Sequence, residues 1–350
     1  MKSILITIVG SFLLVFGASA KTESEWLEPS WSLASALEAA NHAESRQALA
    51  RLFDLSREGK SEEIIKELET IEAMSEWPLP AREQVLHTFA VGLGDLPSWP
   101  GSEQVTDHLM GYDMQTLVPD EHHPGRGVPL FNIRAAARGT AMEWRRHAAW
   151  VEAQKMFHNG GEAWIESYLT AGLPERRGFA EALESADANT LMEIGAASLA
   201  ALDQEPALSV LAARAGLVLG DSALLGQALA RGDGDGMAQV LREASKSLDE
   251  NERESLLLHA VENAKPEQAS LAMAILAPKL LKYPDVEALM FATMENRELG
   301  ATAALVLSGS KDPDIQLQLA DLAKRNKGLA SQRAALALSD ETRSTRGEQQ

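Results

Sequence analysis

Asp120-Glu121-His122-His123 places two carboxylates beside two imidazoles in four consecutive positions. That pairing suits zinc or a similar ion, which makes Asp120, His122 and His123 candidate metal ligands. Asp107, His108 and Asp113 lie in the same stretch. A structural zinc site needs four ligands at defined spacing, and no such set is fixed here; an exposed polar turn before Pro124-Gly125 is the competing expectation. Arg126, Arg134, Arg138, Arg145 and Arg146 fall between residues 120 and 150, opposed there by Asp120, Glu121 and Glu143. Guanidinium forks grip carboxylates and phosphates, so the cluster is a candidate anion site. Pairing with the acidic excess of the chain is the alternative. Trp144 and Trp150 flank the last two arginines and could stack on them or on a ligand, or simply fill core. Glu83 with His87, and Glu143 with His147, sit four apart and are expected to pair along their helices.

Leu217-Val-Leu-Gly-Asp-Ser222 resembles the nucleophile block of GDSL-type esterases, and Asp120-Glu-His-His123 matches their Asp-x-x-His spacing. The resemblance implies a serine hydrolase. The two blocks stand in reversed order, however. Ser222 follows Ala/Leu helix rather than an N-terminal strand, and no Gly or Asn block supplies an oxyanion hole. Gly220 as a helix stop and Asp221 as the next N-cap account for the same letters. No catalytic residue is assigned.

The elements that must carry these residues are helical. Leu49, Leu52 and Phe53 mark one helix, stopped at Gly59. Ile64, Ile65, Leu68 and Ile71 mark the next, with Ser61 as its expected N-cap. Val85, Leu86, Phe89 and Leu93 mark a third, after Trp77-Pro78-Leu79-Pro80. Residues 21–94 are thus an N-terminal helical region, without the Trp/Gly/Tyr pattern of tetratricopeptide hairpins. From Asp95 to Gly139, Pro and Gly interrupt any periodicity, yet Trp99, Leu109, Tyr112, Leu117, Val118, Leu130, Phe131 and Ile133 make the segment too apolar for a disordered linker. An irregular but ordered insert is expected over 95–139. Helices resume at about Thr140, stop at Asn159-Gly160-Gly161, and continue to Ser339. A polar tail, 340–350, is expected to be disordered.

Met1-Lys2, the apolar run Ile4–Phe16 and Gly17-Ala18-Ser19-Ala20 predict a signal peptide over 1–20, with a mature chain from Lys21. The apolar run would span roughly 20 Å as a helix, short of a ~30 Å hydrocarbon core. No later segment is long and apolar enough to cross a bilayer. The expected location is therefore periplasmic or extracellular. The chain has 350 residues, no cysteine and a formal charge of −19. Disulfides and thiol chemistry are excluded, and nucleic acid or anionic lipid is a poor partner. No motif demands a cofactor.

One pattern organises the second half. Ala272-Met-Ala-Ile-Leu-Ala277, Ala303-Ala-Leu-Val-Leu-Ser308 and Ala334-Ala-Leu-Ala-Leu-Ser339 recur at an interval of 31 residues. A helical hairpin of that length cannot bury its apolar face alone and must stack on a neighbour. The run from Ala303 through Asp312-Pro313-Asp314-Ile315 resembles a HEAT-like repeat: an Ala/Leu helix, a turn ending in Asp-Pro, then a second helix. The resemblance covers residues 190–339. It implies an all-α chain with an α-solenoid array over 140–339, and a surface that binds another exported protein or a peptide without catalysis. The alternative is a metal- or anion-dependent hydrolase with its site in the 95–150 region.

Overall fold

The computed structural model describes residues 27–123, 125–232, 236–325 and 327–347, with side chains described as far as Ser339. The expected signal peptide and the start at Lys21 lie outside the described residues, as do the side chains and last three residues of the expected tail. Two compact units divide the chain, one up to Ala141 and one from Met142. Among the described residues the secondary structure is eighteen α-helices, three short 3-10 turns and one two-stranded ladder. None of the helices is long and apolar enough to cross a membrane.

The first unit runs α1 (Leu33–Ala40), α2 (Ser45–Arg57), α3 (Ser61–Ala73), α4 (Leu79–Gly92), α5 (Ser102–Gly111), β1 (Leu117–Pro119), β2 (Gly127–Pro129) and the start of α6 (Ile133–Asn159). α4 packs on α1, α2, α3 and α5. Its Val85, Leu86 and Phe89 are fully buried, as are Ile64, Leu68 and Ile71 of α3. Burying each such side chain contributes about 2 kcal/mol. Ser61 is not the N-cap; Lys60 occupies that position, and the Ser61 hydroxyl accepts the Trp99 indole N–H at 2.8 Å.

The 95–139 segment is more regular than its sequence suggests. α5 forms there because Val105 and Leu109, both fully buried, seat one face on α3 and α4. Two apolar positions four apart are too few to stand out as periodicity. α6 begins at Ile133, ahead of Thr140, because Asn132 caps it, its side chain accepting the Ala135 N–H at 3.0 Å. Between them β1 and β2 pair antiparallel, Val118 opposite Val128.

The second unit continues through α7 (Ala163–Thr170), α8 (Leu173–Ala182), α9 (Ala188–Ala201), α10 (Ser209–Leu219), α11 (Ser222–Arg231), α12 (Met237–Ser247), α13 (Glu250–Asn263), α14 (Pro266–Leu280), α15 (Pro284–Thr293), α16 (Gly300–Ser308), α17 (Pro313–Lys324) and α18 (Gly328–Gly347). The helix starts follow local chemistry. Asp187, Asp221, Asp249 and Asp312 each accept first-turn N–H groups, and Asp249 with Glu252 completes a capping box. Gly220, at φ +70°, closes α10.

Consecutive helices pair, α13 with α14, α15 with α16 and α17 with α18. Alternate helices pack in turn, α10 on α12, α12 on α14, α14 on α16 and α16 on α18. This is the neighbour-to-neighbour pattern of a helical repeat. Ala272, Ala303 and Ala334 lie on α14, α16 and α18 and are all fully buried. Their small side chains let the successive helices approach closely. Gln318 donates to Glu287 at 2.8 Å, the same 31-residue interval written as a hydrogen bond between α17 and α15.

Candidate functional site

The acidic and imidazole group of the first unit lies in the turn between β1 and β2. Asp120 Oδ1 accepts the His122 backbone N–H at 2.9 Å, and its Oδ2 is 3.4 Å from His123 Nδ1. The His122 N–H, followed by the nearby imidazoles and Arg126, holds the Asp120 carboxyl below its usual range. The Asp120 N–H donates to Arg126 O, and the Arg126 N–H to His123 O. The carboxylate therefore closes a tight turn, and the His122 side chain is exposed. Among the described residues no group of three or more His, Asp or Glu side chains converges as a metal-holding set.

Glu83 serves the same segment from below. Fully buried on α4, it does not pair with His87; it accepts the backbone N–H groups of Gln115 at 2.6 Å and Thr116 at 3.1 Å, and the Tyr112 hydroxyl at 3.4 Å. Burial, then the Glu83 charge, pushes the Tyr112 phenol well above its ordinary range. His87 faces the Phe131 ring at 6.0 Å, and burial lowers its pKa. Nearby, His108 Nε2 meets Glu72 Oε1 at 2.9 Å, beside Arg82, whose Nη1 donates to Glu72 O.

The five arginines are distributed rather than gathered. Arg126 is exposed in the β1–β2 turn, and Arg138 is exposed on α6. Arg134 donates through Nε to Tyr112 O at 2.9 Å. In the second unit Arg145 lies 3.9 Å from Glu175, while Arg146 is gripped by Glu143 and Glu181. The Glu143 hydrogen bond leads the causes that raise the Arg146 pKa; its counterpart lowers that of Glu143. Glu143 thus pairs with Arg146 rather than with His147, which stacks on Trp150 at 5.5 Å. Trp144 is buried. Ser222, the lookalike nucleophile, is the exposed first residue of α11, capped by Asp221.

The second unit holds a groove of about 520 Å³ that the sequence does not announce. α7 contributes Tyr168, α8 contributes Leu173, Arg176, Arg177, Ala180 and Glu181, and Ala207 precedes α10. Val210 and Arg214 come from α10; Gly236, Gln239 and Val240 come from the start of α12. Two glycines set the spacing. A Cβ on Gly178 would lie 2.2 Å from Arg146 O, so only glycine lets α8 lie this close to α6. A Cβ on Gly236 would meet Val210 Cγ1 at 2.9 Å, which would push α12 away from α10.

Its polar groups are individually placed. The Tyr168 hydroxyl donates to Ala207 O at 3.2 Å, and burial pushes its pKa up to about 12, so it stays a neutral donor. Arg176 donates through Nε to Tyr168 O at 3.1 Å and through Nη2 to Leu169 O at 2.7 Å, satisfying carbonyls at the end of α7. Its guanidinium carbon sits 5.4 Å from the Tyr168 ring centroid. Arg177 pairs with Glu181 at 2.8 Å. Arg214 is only 6% exposed and is held between Glu184 and Glu243, with its Nε buried and unpartnered among the described residues. Gln239 donates to Glu243 Oε1 at 3.1 Å.

Apolar walls with a few fixed polar groups are the usual make-up of a ligand site. Tyr168, Arg176, Arg177, Arg214 and Gln239 escape sequence reasoning because α7, α8, α10 and α12 meet only after folding. One signal was available: Arg214 stands alone within Val210-Leu-Ala-Ala-Arg-Ala-Gly-Leu217, where a charge needs a reason.

Comparison of the chain with protein-family models, with curated proteins and with solved structures returns no match.

Proposed function

We propose that the chain is an exported, non-enzymatic binding scaffold whose second unit is an α-solenoid of HEAT-like hairpins. Its partner is another exported protein or a peptide. The observation that carries this reading is the groove between α7, α8, α10 and α12. It offers apolar walls for a partner's side chains and fixed hydrogen-bonding groups for orientation. The in-register burial of Ala272, Ala303 and Ala334 supports the solenoid part, since stacked hairpins require small side chains there. Export rests on the apolar stretch Ile4–Phe16 and its small-residue end.

A photo-crosslinking amino acid at Leu173, which is 61% exposed at the groove rim, tests it in intact cells. Capture of one polypeptide at this position is expected. It should vanish when Gln239→Trp fills the groove and be missing when the crosslinker is moved to Val91 of α4, which is 55% exposed. Equal capture from both positions, or capture that survives Gln239→Trp, rejects the reading.

A further inference from the structure

The groove's occupant can be narrowed by its unpaired hydrogen-bonding groups. We infer that it takes the free C-terminal carboxylate of a peptide whose last side chain is apolar; this rests on reading the groove as a binding site. Three arginines line it, and two are neutralised within the protein. Arg177 is paired with Glu181, and Arg214 with Glu184 and Glu243. Arg176 is different. Its Nε and Nη2 donate to neutral carbonyls, its guanidinium meets no carboxylate, and its Nη1 has no hydrogen-bond partner among the described residues. Among the described residues Arg176 is thus the one lining guanidinium with no carboxylate against it, and its open donor matches a single carboxylate. A phosphate dianion would call for a second open charge and a two-pronged grip.

The walls and the size select what carries that carboxylate. Leu173, Ala180, Ala207, Val210 and Val240 surround the space with apolar atoms, so the group next to the anion is apolar. A groove of about 520 Å³ holds a ligand of a few residues rather than a folded face. Gln239 favours peptide over fatty acid. Its amide nitrogen is engaged by Glu243, leaving Oε1 without a donor among the described residues. A peptide N–H supplies that donor; an alkyl chain has none to give. Arg214 Nε, buried beneath the groove, is a further unsatisfied donor beside the same space.

The test uses the full chain and three probes: a pool of tetrapeptides ending in Leu, Ile, Val or Phe with free C-termini, the same pool amidated, and dodecanoate. Binding is measured by calorimetry on the unaltered protein and on Arg176→Met, Gln239→Trp and Leu173→Asp. Circular dichroism checks that each variant keeps its fold; Leu173 is exposed, so its variant stands if the Trp variant does not fold. The expected result is binding of the free-acid pool, with amidation or Arg176→Met each weakening it by roughly tenfold or more. Neither Gln239→Trp nor Leu173→Asp should bind. If both pools bind equally and Arg176→Met changes nothing, while the groove-altered variants still lose binding, the carboxylate inference is overturned and the groove stands. Tighter binding of dodecanoate than of any peptide overturns the peptide occupant. If no probe binds, or if both groove-altered variants bind as the unaltered protein does, the groove reading falls and this inference falls with it.

Discussion

The two units solve the problem of a low-aromatic, cysteine-free chain in opposite ways. The first anchors an irregular stretch to its helices with side-chain-to-backbone hydrogen bonds. Glu83 accepts two consecutive backbone N–H groups, Thr140 donates to Ala90 O, and Ser30 lies against Leu117. The second relies on repetition: Ala272, Ala303 and Ala334 are buried on α14, α16 and α18, which pack in turn, and capping aspartates start α13 and α17. The difference is one of concentration. In the first unit a few polar contacts each hold much of the local structure, whereas in the second the stabilisation is spread over many similar apolar ones.

Glu83→Ala should break that comparison most sharply. It leaves the Gln115 and Thr116 N–H groups without their acceptor in a buried site, at a cost of about 4 kcal/mol. Urea unfolding followed by circular dichroism measures it; a loss below about 1 kcal/mol would mean that solvent or another group takes over the two donors. Ala303→Leu addresses the other side. Extra volume between α14, α16 and α18 should cost about 2 kcal/mol through overpacking, despite the better burial of apolar surface. The same exchange at exposed Ala335 of α18 should be near neutral, and an equal cost at the two sites would refute the in-register stacking.

The smallest effect separates the units by pH. Burial holds the His87 imidazole below its ordinary 6.5, so the unfolded chain takes up the proton first. That contribution of the first unit is complete above about pH 6.5 and is lost as pH falls through the lowered folded value. In the second unit the Thr190 N–H and hydroxyl hold the Asp187 carboxyl below its ordinary 3.8. Its contribution is complete above that value and is lost only as pH falls through the lower folded one. Thermal melts across pH should therefore show two separate declines. His87→Gln should flatten the upper one, and Asp187→Asn, which keeps an N-cap, the lower one. An upper decline unchanged in His87→Gln would assign it to another group.

What the amino-acid sequence determined on its own is local or periodic. Gly220 with Asp221, and Asp312 with Pro313, specify helix ends because caps act within one turn. The recurrence of Ala272, Ala303 and Ala334 specifies helices that need neighbours, because a face of small apolar groups is stable only when covered. Tertiary structure decided the partners of the charged groups that reach beyond their own helix or turn. Glu83 bonds residues 29 to 33 positions away instead of His87, Arg146 reaches Glu181, and Arg214 draws Glu184 from the 3-10 turn after α8 and Glu243 from α12. It also decided the groove, since Tyr168, Arg176, Val210 and Gln239 share no spacing along the chain. A long polar side chain can reach many acceptors, and only the packing of the helices selects among them.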